Sequence, residues 1–425
     1  MTAADPGRVG SGESQTPAHT VDLADPATFA NRDLTGFWQQ LRDEEPIHWN
    51  PPTSGRRGFW VVSRYADILD VYRDDVTFTS ERGNVLVTLL AGGDAGAGRM
   101  LAVTDGPRHA ELRKLLLRAL GPRVLAPVCA AVRANTRQMV REAVTKGECD
   151  FASDIASRIP MMTISNLLGV PDADRAFLLS LTKTALSADD ESISETESAM
   201  ARNEILLYFQ DLMEFRRDHP GEDVVSMLVN STIDGAPLSD DDIVLNCYSL
   251  IIGGDETSRL TMIDSVNTLA AHPKQWRRLK DGQCEIDKAV DEVLRWASPS
   301  MHFGRVAAKD TILRGVQIRA DDIVTLWHAS GNRDERVFHR PEVFDLGRTP
   351  NRHLSFGHGP HYCIGSYLAK VEISELLIAL RDLTSGFETT GEPQRIRSNL
   401  LTGFSTMPVR FVPDRAGLAR DALDG

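Results

Sequence analysis

The sequence is short of cysteine, of positive charge and of long apolar runs, and each shortage excludes something. Five cysteines (Cys129, Cys149, Cys247, Cys284 and Cys363) are scattered over 425 residues. An odd, sparse set of this kind does not form a disulfide framework and fits a reducing compartment. Lys and Arg number 47 against 60 Asp and Glu, a formal net charge of −13. That balance argues against general binding to nucleic acid or to an anionic membrane. No stretch approaches the roughly 18–20 apolar residues of a membrane helix, so a cytoplasmic location is expected. Residues 1–20 are polar and rich in Gly, Pro and Ser. They lack the apolar core of a secretory signal and read as a flexible tail. No internal repeat and no interdomain linker is visible, so residues 21–425 are expected to form one domain. With 42% hydrophobic and 25% charged residues, the composition is that of a soluble globular chain.

Helical periodicity dominates. It predicts helices near 107–119, 124–145, 154–168, 200–217, 239–271, 285–297 and 365–382, with short extended pieces at 59–63, 303–308, 311–319 and 408–412. The fold class is therefore mainly α with small β-sheets. The segment beginning at Ser239 stands out. Ser239 is a good N-cap, and Asp240, Asp241 and Asp242 favour the helix dipole in the first turn. About 33 residues at 1.5 Å each give roughly 50 Å, enough to cross a domain. Its apolar middle is interrupted by Gly253-Gly254-Asp255-Glu256-Thr257-Ser258. Two glycines and two acids are expensive inside a buried helix, so a functional site is expected there.

The run Phe356-Gly357-His358-Gly359-Pro360-His361-Tyr362-Cys363-Ile364-Gly365 is a tight turn leading into a helix. Cys363 would lie just before that helix, where unpaired N–H groups and the dipole lower a thiol pKa. A zinc site drawn from His353, His358, His361 and Cys363 matches no usual spacing. The glycine-rich stretch Gly92 to Gly98 lacks the strand and the Lys-Ser/Thr of a nucleotide loop.

The run from Phe356 to Gly365 resembles the F-G-x-G-x-H-x-C-x-G loop of the cytochrome P-450 monooxygenases. Segments similar to that family extend from about residue 33 to 412. The resemblance implies a single-domain fold with a long central helix crossing a haem b. It makes Cys363 the thiolate ligand of the iron, in a loop that includes Phe356 and Gly365. Gly253 to Ser258 resembles the family's oxygen-binding turn. There Thr257 would bond the Gly253 carbonyl in place of the ladder, opening a groove for O2, and Glu256 with Thr257 would relay protons. Glu292 and Arg295 match the family's E-x-x-R pair, completed by Arg348, with the structural role of holding the cysteine loop. His109, Arg113, Arg305 and His361 match the positions that meet the haem propionates. Gly106 stands where the family more often has proline, which leaves the geometry of that entry turn open.

The same resemblance places the substrate pocket at Leu86, Val87, Leu89 and Leu90, at the 175–200 connection, at Leu250, Gly253 and Gly254, at Met301 and Phe303, and at Leu401 and Phe404. These residues suggest a mid-sized, mainly apolar substrate of natural-product type, free or attached to a carrier protein. The expected reaction is insertion of one oxygen atom from O2 by hydroxylation or epoxidation. No flavin or iron–sulfur segment is present, so electrons would come from an external ferredoxin and its reductase. They would dock on a local basic patch of Arg73, Lys114, Arg118, Arg352 and Lys370. A monomer is expected. A peroxide-driven enzyme and a non-catalytic haem sensor are the rival readings, and the Glu256–Thr257 pair argues against both.

Overall fold

A computed structural model describes residues 21–31, 33–53, 55–186 and 193–424. The expected tail and the centre of the 175–200 connection lie outside the described residues. The expected helices are present at Gly106–Ala119, Pro122–Lys146, Arg158–Leu168, Glu195–Asp218, Asp240–Ala271, Ile286–Ala297 and Ser366–Leu383. The third is shorter than expected, because residues Ala152–Ala156 form a separate, wider helical turn ahead of it. Further helices were not anticipated, among them Thr35–Glu44, Tyr65–Arg73, Arg175–Leu186, Pro273–Lys280 and Arg415–Asp424. Among the described residues, no single helix is long and apolar enough to cross a membrane.

The central helix Asp240–Ala271 starts from a capping box. The Ser239 hydroxyl accepts the Asp242 N–H at 3.2 Å, and the Asp242 carboxylate accepts the Ser239 N–H at 3.3 Å. From there the helix threads the main hydrophobic core, burying Ile243, Cys247, Ile251, Met262, Ile263, Val266 and Leu269. Leu167 and Leu168 of the Arg158–Leu168 helix and Leu376, Leu377 and Leu380 of the Ser366–Leu383 helix pack into the same core.

Beside this helical mass lies a five-stranded sheet in the order Ile47–Asn50, Phe59–Val62, Ile323–Trp327, His302–Ala307, Phe78–Thr79. Strand Ile323–Trp327 runs parallel to Phe59–Val62, with Val324 opposite Trp60, and antiparallel to His302–Ala307, with Thr325 opposite Gly304. All five of its residues are buried. Side chains alternate between two cores: Phe59, Val61, Ile323 and Trp327 face one, and Val62, Val324 and Leu326 the other. Its sequence, apolar but for Thr325, therefore carried no alternation to read.

The stretch expected to be extended at 311–319 is a hairpin, Thr311–Leu313 with Val316–Ile318. Arg314 and Gly315 at its tip both have positive φ (49° and 80°), as a tight two-residue hairpin turn requires. Gly106 has φ 61° at the start of its helix. Proline cannot adopt that angle, so glycine is required here and Pro107 takes the next position.

Candidate functional site

The cysteine loop, the central helix and the helix Gly106–Ala119 meet around one cavity of about 400 Å³. Gly253, Gly254 and Thr257 line it from the central helix, and Phe356, Cys363 and Gly365 from the opposite wall. A Cβ at Gly253 would meet nothing within 4 Å, so this position faces open space. At Gly254 a Cβ would stand 3.1 Å from Ile164, which lets the Arg158–Leu168 helix approach closely. Thr257 Oγ1 donates to the Gly253 carbonyl at 3.2 Å. The helix nevertheless runs unbroken through this turn. The missing side chain of Gly253 leaves the space beside it open.

The cysteine loop is shaped by positive φ at Gly357 (69°) and Gly359 (71°). A Cβ on Gly359 would lie 2.7 Å from the Tyr72 carbonyl oxygen, so only glycine fits. The loop closes when the Cys363 N–H donates to the Phe356 carbonyl at 2.9 Å. Cys363 is surrounded by protein yet exposed, because its side chain faces the cavity. Burial pushes its thiol up, against the pull of the Gly365 and Ser366 N–H groups and the Arg113 guanidinium. The net direction is opposite to the one expected from the helix terminus alone, because desolvation of the thiolate outweighs the dipole. A bound metal ion would deprotonate such a thiol outright.

Glu292 and Arg295 are completely buried and joined by two bonds of 2.8 Å. Arg348 Nε adds a third bond to Glu292 at 3.0 Å, and the Asp345 N–H and Asn351 amide add two more at 2.9 and 3.1 Å. Arg295 also donates to the carbonyls of Asn332 and Pro341. The cluster reaches the cysteine loop through two short links. Asn332 Oδ1 accepts the Leu354 N–H at 2.6 Å, and Ser355 Oγ donates to the Leu294 carbonyl at 2.7 Å.

His109, Arg113, Arg305 and His361 all line the cavity. His361 Nε2 lies 2.8 Å from Asp105 Oδ1. Burial opposes charge on Asp105, but hydrogen bonds from His361, Thr79 and Ser80 hold it down to about 2. The His109 and His361 rings lie tilted against each other at 37°, with centres 4.3 Å apart. Burial, with the nearby His361 and Arg113 charges, lowers His109 to about 4, and its Nε2 is buried without a partner. Arg305 is buried, donates to the neighbouring Gly304 carbonyl at 2.7 Å and lies 5.2 Å from the centre of the Tyr72 ring. A buried guanidinium with no carboxylate of its own, beside an unpartnered imidazole, is a donor set suited to an acidic group entering the cavity. With the cysteine on one wall and open space beside the glycine turn, these residues fit a haem and its propionates.

Other expectations are displaced. Glu256 does not line the cavity. It is buried in a two-bond pair with Arg259, whose Nε donates to Oε2 at 2.8 Å. Of the expected pocket residues, Leu250, Gly253, Gly254 and Phe303 line the cavity. Leu86, Leu89 and Leu90 turn into the sheet core, because Leu89 packs over the bare face of Gly304. Val87 is exposed. Met301 belongs to the sheet core, and Leu401 forms a bridge with Ser300. Phe404 packs in the helical core under the Arg395 guanidinium. The cavity is lined instead by Asn84, Val85, Met100, Leu101, Asn246 and Ser249, among others. Two acids of the cavity lining were missed, Asp94 and Glu372; Glu372 takes hydrogen bonds from Ser258 and Thr163 and is pushed by burial up to about 7. For Glu372 the signal was a lone acid in the apolar register of Leu368, Leu376 and Leu380.

The expected docking residues are mostly paired: Arg73 with Asp70, Lys114 with Glu111, and Lys370 with Asp291. Outside the cysteine loop, His109, Ala110, Arg113, Lys114, Leu117, Arg118, Gly359 and Pro360 line an open groove.

Comparison with known proteins points to one family. The family model Cytochrome P450 matches residues 285–395. Cytochrome P450 NovI of Streptomyces niveus is 44% identical over 398 residues, covering 94% of this chain and 98% of the relative. Linalool 8-monooxygenase of Pseudomonas putida is 33% identical, covering 92% and 99%. Among solved structures, P450 OxyD, involved in the biosynthesis of vancomycin-type antibiotics, superimposes with a TM-score of 0.84. It is 35% identical, with 92% of this chain and 100% of that one covered.

Proposed function

This chain belongs to the cytochrome P450 family of haem-thiolate monooxygenases, and from that premise we propose that it hydroxylates or epoxidises a mid-sized, mainly apolar natural product. Cys363 opposite the Gly253–Thr257 turn, across a single cavity edged by unpaired cations, is the observation that carries the reading. Members of the family bind haem b. Held through Cys363, it supplies the activation of O2.

The chain's own residues do the rest. Arg113, Arg305 and His109 would neutralise the propionates, with His361 fixed by Asp105. Thr257 presents its hydroxyl to the cavity and can pass a proton there. Glu256 would feed protons to Thr257 only after release from Arg259, which makes that ion pair a gate on the relay. Leu250, Phe303, Val85, Met100 and Leu101 would exclude water and hold the apolar body of the substrate. Asn84, Ser249 and Ser300 would offer polar anchors. An apolar pocket with a few polar groups sets orientation in this way.

The wider role follows the relatives. OxyD serves antibiotic biosynthesis, and this chain is read as a tailoring enzyme of secondary metabolism, acting in the cytoplasm as a monomer on a free or carrier-bound substrate. A ferredoxin with its reductase would deliver electrons at the groove beside Lys114 and Arg118. The test is spectroscopic and catalytic. The reduced protein with carbon monoxide should show the red-shifted absorption of a thiolate-ligated haem, lost in Cys363→Ala. Thr257→Ala should lower product formed per electron and release peroxide. A spectrum like that of a histidine-ligated globin, or unchanged coupling in Thr257→Ala, would refute the assignment.

A further inference from the structure

One buried acid next to the glycine turn takes no part in the cavity. Asp255 is 1% exposed, and its Oδ1 has no hydrogen-bond partner. Its Oδ2 lies 3.0 Å from the hydroxyl of Thr182, on the neighbouring helix Arg175–Leu186. That hydroxyl also lies 3.1 Å from the Leu179 carbonyl. A threonine hydroxyl carries one hydrogen. One hydrogen cannot serve both acceptors, so the two contacts are both hydrogen bonds only when the carboxyl donates to Thr182 and Thr182 donates to Leu179.

We infer that Asp255 is a neutral carboxylic acid in the folded protein, donating to Thr182 and latching helix Arg175–Leu186 onto the turn of the central helix that carries Gly254 and Thr257. The surroundings agree. Glu256 and Arg259 flank it on its own helix, Lys183 faces it from the latched helix, and on Ser366–Leu383 Glu372 is near enough for the Asp255 charge to push it up. Burial and the Glu256 charge push Asp255 up to about 7, against smaller opposite effects of Thr182, Arg259 and Lys183. When Asp255 ionises, Thr182 must give up Leu179 to bond the carboxylate, and a second negative charge appears beside Glu256. The latch weakens. Asp255 is thus a positioning residue, acting on the cavity through the helix turn.

Asn is the decisive substitution, since its amide donates to Thr182 at every pH. The test uses the purified haem-loaded protein. Infrared difference spectra of wild type against Asp255→Asn at pH 6 should show the carbonyl stretch of a protonated acid, lost in the variant. Amide exchange across residues 175–186 gives the second readout. The ratio of wild-type to Asp255→Asn exchange rates should rise roughly tenfold or more from pH 5 to pH 8. Thr182→Val should abolish that rise. A missing acid band, or a ratio that does not change with pH, would overturn the inference. Because neither measurement requires turnover, each can fail while the monooxygenase assignment stands.

Discussion

Glu292 and Asp255 are both carboxylates sealed from water, and they meet burial in opposite ways. Glu292 collects two guanidinium groups, a backbone N–H and an amide. Asp255 has one hydroxyl and an oxygen with no partner. The first is compensated as an ion, and the second is relieved by keeping its proton. Burial alone therefore does not set the charge of an acid; the number of donors around it does.

Removing the compensation from Glu292 is the harshest way to break the contrast. Glu292→Ala strands Arg295 and Arg348 and should cost about 3–5 kcal/mol. Denaturant unfolding and retained haem per chain measure it, and a loss below about 1 kcal/mol would mean the cluster is poorly coupled to the fold. Next comes the pH dependence of Asp255. Its value is raised from 3.8 to about 7. The stability it contributes is full below the unfolded value and is lost as pH rises through the folded one. Thermal unfolding of wild type relative to Asp255→Asn should therefore decline between about pH 4 and 7, by on the order of 2–4 kcal/mol, and level off above. A difference that grew with pH in the opposite sense would show Asp255 to be ionised. The mildest test is Arg348→Met, which leaves Arg295, Asn351 and the Asp345 N–H on Glu292. It should cost about 1.5–3 kcal/mol, the range of a charged hydrogen bond.

The same contrast explains what could be read before the structure was known. The Glu292–Arg295 pair rests on a three-residue spacing and the cysteine loop on glycines that single backbone angles require, whereas Arg348, 56 residues from Glu292, was placed by the family resemblance. The cavity ceiling does not work that way. Leu86 and Leu89 look like any apolar pocket residues, and only the bare face of Gly304, more than 200 residues away in sequence, draws them into the sheet. Glu256 and Thr257 are adjacent in sequence, but a helix turns neighbouring side chains to different faces. One reaches the cavity and the other reaches Arg259. The strand Ile323–Trp327 was missed because burial on both faces removes the alternation that marks a strand.

His109 and Arg113 have a geometry with its own consequence. Each borders both the internal cavity and the open groove outside the cysteine loop. In the docking proposed above, these two side chains would stand between a redox protein at the groove and a haem in the cavity, and thickening or thinning that layer would be the direct way to tune the rate of reduction.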